Sequence, residues 1–122
     1  MQTGEQPIPL GRLKKRAEFL RVRDGLVWRS RCLVLQARRR PDGSSLNSET
    51  TRFGFTATKR LGNAVTRNRA RRRLKETVRL VAQAHARPGY DYVVIARQGA
   101  VAHPFEHVQK ELRQALEGIH KG

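Results

Sequence analysis

The chain is poor in three things. It has one cysteine, Cys32, in 122 residues, so no disulfide can close inside it. It is short of acids: 10 Asp and Glu stand against 26 Lys and Arg, a formal charge of +16. It has no apolar run near the ~18–20 residues that cross a bilayer. The opening MQTGEQPIPLGRLKKR lacks the apolar stretch of a secretory signal. These absences argue against a disulfide-stapled secreted domain and a membrane-spanning helix. They fit a reducing cytoplasm. Paired carboxylates for two-metal chemistry are missing too, since Glu18, Asp24 and Glu76 form no spaced set. Ser44 and Ser45 fall in a loop with no His or Asp partner suggested. No protein nuclease site is expected.

What is present is 38% apolar content, enough for one domain with one modest core. The charge is gathered rather than spread. Residues 59–79 hold nine Lys or Arg against one acid, Glu76, a net of +8 and half the total. Residues 104–122 hold three basic and three acidic groups. Such a field repels itself in isolation and attracts nucleic acid or an anionic membrane surface.

Residues 1–11 read as a flexible arm ahead of one domain, 12–122. Leu13, Ala17 and Leu20 fall at helical spacing, with Phe19 and Val22 beside them, and Gly25 ends the pattern. This predicts a helix over 13–24. CLVLQA, 32–37, predicts a strand. So does TRFGFTAT, 51–58, with Phe53, Phe55 and Ala57 on one face and Arg52, Gly54, Thr56 and Thr58 on the other. Between them, 38–50 reads as a polar loop. A further strand falls at 27–31 or within that loop. Asn63, after Gly62, caps a long helix that runs to about Ala86, before Pro88-Gly89. DYVVIAR, 91–97, is a strand. Pro104 opens a last helix whose stripe is Phe105, Val108, Leu112, Ala115 or Leu116, and Ile119. The order is α-β-β-β-α-β-α, an α+β single domain of two layers.

On a helical wheel Ala70, Leu74, Thr77, Val78, Val81 and Ala84 share one face of the long helix. Asn68, Arg71, Arg72, Lys75 and Arg79 share the opposite face. A disordered tail needs no such apolar register. A merely solvated face would relieve its like-charge repulsions, ~0.2–0.5 kcal/mol each, with interleaved acids, and here only Glu76 is at hand. Arginine's planar fork suits bidentate phosphate contact. The helix N-terminus at Gly62-Asn63-Ala64 also favours an anion.

RFGFTATKRLGNAVTRNRARRRLKE closely resembles the signature of the bacterial ribonuclease P protein subunit. RAEFLRVRDG upstream and DYVVIAR downstream extend the resemblance over residues 12–117. It implies a mixed four-stranded sheet packed with helices, with a left-handed βαβ crossover through the basic helix. It implies one protein chain bound to one catalytic RNA, ribonuclease P RNA, with no membrane partner. That RNA, with Mg²⁺, removes the 5′ leader of precursor tRNA, and the protein holds no catalytic residue and no direct metal ligand. By position, Lys59, Arg60, Arg67, Asn68, Arg69, Arg71, Arg72 and Lys75 would face the RNA subunit. Arg67, Asn68 and Arg69 would lie near RNA-bound Mg²⁺. Phe19, Val34, Gln36, Thr56, Thr58 and Arg97 would line a cleft for the leader. Many members carry an aromatic where this chain has Gln36. Base stacking is worth ~1–3 kcal/mol, so this cleft is expected to lean on hydrogen bonds and charge.

Several residues carry a plainer reading. On spacing alone Phe19 is core; the resemblance moves it to the cleft. Trp28 reads as a half-buried packing residue before it reads as a stacking platform. Cys32 reads as a buried strand residue with no nearby His. His103 and His107 stand four apart, but His103 lies outside the helix, which spoils the pair as a metal site. The alternative reading of the whole is a ribosomal-protein-like binder of structural RNA. Composition does not separate the two; the GNAVTRNR run favours the first. A major-groove DNA regulator would normally show a helix-turn-helix pair or a dimerisation surface, and neither is seen.

Overall fold

The computed structural model describes residues 10–41 and 50–121. The elements are β1 (Leu10–Arg12), α1 (Arg16–Arg23), β2 (Leu26–Arg29), β3 (Leu33–Arg39), β4 (Thr51–Thr56), α2 (Ala64–His85), β5 (Tyr90–Ala96), α3 (Gly99–Ala102) and α4 (Phe105–Ile119). A single 3₁₀ turn, Lys59–Leu61, joins β4 to α2. The expected α-β-β-β-α-β-α order stands, with β1 and α3 added to it. The sheet therefore has five strands, not four, in the order β1-β4-β5-β3-β2. The extra strand takes Leu10 and Gly11 from the stretch read as an arm, because β1 pairs in parallel with β4. Residues 1–9 lie outside the described residues, as do 42–49 of the polar loop. That loop starts later than expected: Arg38 and Arg39 belong to β3, and Arg40 is buried.

β4 and β5 are parallel neighbours joined through α2, while β3 runs antiparallel to β5 and β2 to β3. Strand alternation then gives each face its residues. Leu33, Leu35, Ala37, Phe53, Tyr92 and Val94 point to one side and are buried under α2 and α4. Tyr92 and Phe53 stack there, ring centroids 4.9 Å apart. α4 contributes Val108, Leu112, Ala115, Leu116 and Ile119, the stripe read from its spacing. Trp28 is half-buried and packs on Gly118, where an added Cβ would come within 2.3 Å of the indole.

The opposite face is covered only in part. α1 lies over it, with Val22, Leu13 and Val93 buried and Phe19 and Ile95 beside them. The helix is shorter than expected and buries a different side. Leu13 precedes it, its N–H donating to the Phe53 carbonyl at 3.0 Å. Leu20 is exposed, as is Ala17. The reason lies beneath α1: Gly54 of β4 leaves a hollow that the Phe19 ring fills. An added Gly54 Cβ would fall 2.6 Å from that ring. Glu18 holds the start of α1, accepting from the N–H groups of Lys14 and Lys15 at 3.0 Å.

Candidate nucleic-acid interface

α2 begins as its residues dictate. Gly62 takes φ 147, a conformation that L side chains rarely adopt. Asn63 Oδ1 then accepts from the Thr66 N–H at 2.9 Å and caps the helix. Ala70, Leu74, Thr77, Val78, Val81 and Ala82 are buried. Ala82 takes the place expected for Ala84, which is exposed, and His85 of the same last turn reaches Glu117 of α4 at 3.0 Å. The buried side fixes the rotation of α2 and sends Asn68, Arg71, Arg72 and Lys75 outward. Together with Val65, 76% exposed, they line one open concavity.

The cations of 59–79 do not share one fate. Arg73 turns inward: its Nε donates to the Ala100 carbonyl and its Nη2 to that of His103, each at 2.6 Å. It also sits 5.7 Å over the Phe105 ring. Arg79 is held by Glu76 through two hydrogen bonds, 2.8 and 2.6 Å. That contact lowers the Glu76 pKa and raises that of Arg79. Arg71 donates to Asn68 Oδ1. Among the described residues, no carboxylate pairs with Lys59, Arg60, Arg67, Arg69, Arg71, Arg72 or Lys75. Arg67 Nε is buried without a hydrogen-bond partner there. Lys59 and Arg60 are exposed on the 3₁₀ turn between the end of β4 and α2.

The other expected set meets on the α1 side of the sheet. Thr56 is opposite Ile95, and Ile95 opposite Val34. Gly54 is opposite Val93, and Val93 opposite Gln36. Phe19 closes this patch from α1. Val34, Gln36, Thr56 and Ile95 are half-buried, so the strip is open to solvent. Thr58 lies beyond the strand end, and Arg97 follows β5 with its Nη1 on the Ser30 carbonyl at 3.1 Å. Ile95, at the centre of the strip, was missed by sequence reasoning. The alternation of DYVVIAR could have supplied it.

The model of the family described as Ribonuclease P matches residues 10–120. The chain belongs to the ribonuclease P protein family. A ribonuclease P protein component from Paramagnetospirillum magneticum is 46% identical over 111 residues, 90% of this chain and 83% of the relative. That from Brucella suis is 44% identical over 108 residues, 86% and 77%. The structure of the Staphylococcus aureus RNase P protein superposes with TM-score 0.68 at 31% identity, covering 90% of this chain and 94% of that one. The Thermotoga maritima RNase P protein gives 0.71 at 25% identity, covering 88% and 96%. As a ribonuclease P family protein, the chain is a component of a tRNA-processing enzyme.

Two clusters outside both surfaces were not foreseen. Asp91, fully buried, accepts from Arg40 Nη1 at 2.9 Å, Arg52 Nε and Nη2 at 2.9 and 2.7 Å, and Arg21 Nη2 at 2.9 Å. Glu18 adds a 2.6 Å contact to Arg52. Burial pushes the Asp91 pKa up, but the three guanidinium groups outweigh it and hold it below the ordinary value. The second cluster corrects the reading of Cys32 as remote from any His. Its sulfur, His107 and Glu111 have ligand atoms within 4.8 Å of one another. Glu111 is occupied there, accepting from the Cys32 N–H and from His107 Nε2, each at 2.9 Å. Burial raises its pKa, yet hydrogen bonds from Ser30 and Cys32 bring it down to about 2. Burial, with the Glu111 carboxylate beside it, pushes the Cys32 thiol up to about 12. This arrangement ties α4 to the β2–β3 turn. The His103 and His107 rings do approach, centroids 4.8 Å apart.

Proposed function

We propose that the chain acts in the cytoplasm as the protein subunit of ribonuclease P, one copy bound to one catalytic RNA. The cation face of α2 and the Lys59-Arg60 turn dock on that RNA. The strip of Phe19, Val34, Gln36, Thr56 and Ile95, with Thr58 and Arg97 at its rim, receives the 5′ leader of precursor tRNA. The observation that carries this reading is the α2 face: a capped row of Arg and Lys with no acidic partner among the described residues, in a chain of this family. Phosphates would supply the missing counter-charges.

Mg²⁺ belongs on the RNA in this reading. Among the described residues no carboxylate pairs with Arg67 or Arg69, and Asn68 Oδ1 accepts from Arg71. Guanidinium groups do not ligate a hard cation, which takes oxygen donors. They concentrate phosphate, and phosphate brings the metal. Hydrolysis of the leader bond would then fall to the catalytic RNA with the Mg²⁺ it binds. The protein contributes grip on the substrate and neutralises charge where two RNAs meet.

Reconstitution tests this. The purified chain, a bacterial ribonuclease P RNA and precursor tRNA are mixed at low Mg²⁺. Leader cleavage is expected to rise well above that of RNA alone, and no gain would sink the reading. A chain that binds ribosomal RNA tightly but leaves cleavage unchanged would belong to the alternative, a structural RNA binder.

A further inference from the structure

The cation row of α2 does not end on bare surface. At Lys75 it meets a second concavity, bounded on the far side by β1. Leu10 and Arg12 form one wall, Lys75 and Arg79 the other, and Phe55 and Val78 the floor. β1 and β4 are in register, so Leu10 and Arg12 point to the same side as Thr51 and Phe53. The groove holds about 210 Å³ and is open to solvent. Phe55 is half-buried, with the Phe53 ring near-parallel to it, centroids 6.5 Å apart. Leu10 stands 37% exposed at the mouth.

We propose that this groove receives one unstacked base of the ribonuclease P RNA. Its base would lie on Phe55 and Val78, and its flanking phosphates on Lys75 and Arg12. The inference rests on the RNA-docking reading and deepens it. Two features select the occupant. The rim is cationic while the floor is apolar and aromatic, which matches a nucleotide and not an apolar peptide. The groove is also continuous with the α2 row through Lys75, which lines both concavities. The leader strip lies on the other side of β4, so the base comes from the RNA subunit.

The test uses the full chain and a bacterial ribonuclease P RNA transcript. Phe55→Leu keeps apolar volume but removes the ring face, and should weaken RNA binding roughly 10-fold, the loss of one stacked base. Its salt dependence should stay that of the parent, because stacking releases no counterions. Leu10→Asp puts a carboxylate at an exposed mouth without touching the core and should weaken binding as well. Base-specific probing should show one nucleotide shielded by the parent chain and reactive with either variant. Dimethyl sulfate reads adenine and cytosine, and a carbodiimide reads uracil and guanine. Parent-like binding and unchanged probing in both variants, while Arg71→Ala still weakens binding, would overturn the groove and spare the docking surface. Magnetic contacts between residues 1–9 and the Phe55 ring that persist in the complex would also overturn it, since the chain would then be its own occupant. A parent chain that fails to bind the RNA overturns the docking reading itself.

Discussion

Two arginine-rich regions of this molecule do opposite things. Around Asp91, Arg21, Arg40 and Arg52 converge on one buried carboxylate, and Arg52 also reaches Glu18. Along α2, Arg67, Arg69, Arg71, Arg72 and Lys75 have no carboxylate partner among the described residues. The residue types are alike; the difference lies in the company they keep. The Asp91 cluster fastens α1, the end of β3 and β4 to β5, and its charges are spent inside the fold. The α2 row is held rigid by its apolar side and leaves its charge unspent. Arginine count alone is therefore a poor guide to an RNA surface, and counting the acids within reach of each guanidinium is a better one.

The strongest break of this contrast is Asp91→Asn. It leaves three guanidinium groups facing a neutral amide at a buried point. Loss of one partner of such a network costs ~3–5 kcal/mol, which urea unfolding would report as a large drop in midpoint. Acid gives the same result by titration. The Asp91 pKa is held below its ordinary value, and that of Glu111 falls from 4.5 to about 2. A carboxylate with a depressed folded pKa stabilises above its unfolded value, and that contribution disappears as pH falls through the folded one. Stability should thus decline from about pH 4.5 toward pH 2. The decline should be shallower in Asp91→Asn and in Glu111→Gln. A parent curve flat over that window would remove both carboxylates from the stability account.

The opposite break is the triple change Arg71→Ala, Arg72→Ala, Lys75→Ala. Among the described residues these side chains have no carboxylate partner, so the unfolding midpoint should hold or rise slightly as repulsions of ~0.2–0.5 kcal/mol each are relieved. RNA affinity should collapse, and the slope of log affinity against log salt should fall by about 2–3. A stability loss like that of Asp91→Asn, with RNA binding intact, would reverse the assignment of the two regions. Between these extremes lies Gly54→Ala. Its new methyl would meet the Phe19 ring, and overpacking of this kind costs ~1–3 kcal/mol. Displacing Phe19 should weaken precursor tRNA more than mature tRNA, with RNA-subunit affinity unchanged. Equal losses for both tRNAs would mean that Phe19 serves the core alone.

Local signals made the α2 row legible in the sequence. A Gly-Asn cap and a 3.6-residue apolar period fix where the helix starts and which way it turns, and outward charge follows. The Asp91 cluster had no such signal, since its contacts join residues 39, 51 and 70 positions apart. β1 escaped for the same reason: its three residues gain strand character only from parallel pairing with β4. The buried side of α1 was misread because Leu20 and Phe19 both satisfy a helical stripe, and only the hollow at Gly54 decides between them. Cys32, His107 and Glu111 meet through packing of α4 on β3, which no spacing encodes.

Arg79 tests the contrast most finely, because it lies on the α2 row yet behaves like a member of the Asp91 cluster. Its fork holds Glu76 through two hydrogen bonds while both side chains stay largely in solvent, 66% and 46% exposed. Exposed pairs add little to stability, so Arg79→Ala should leave the unfolding midpoint within error. Its effect on RNA should come through Glu76, which would then sit unneutralised one turn from Arg72 and weaken binding slightly. Removing both groups, Arg79→Ala with Glu76→Ala, should restore parent affinity and leave the salt slope unchanged. If Arg79→Ala instead lowers the slope as Arg71→Ala does, and the double variant does not recover, then phosphate outcompetes Glu76 for Arg79 in the complex. The ion pair would be a resting state of the docking surface, and the unspent row of α2 would extend one full turn further.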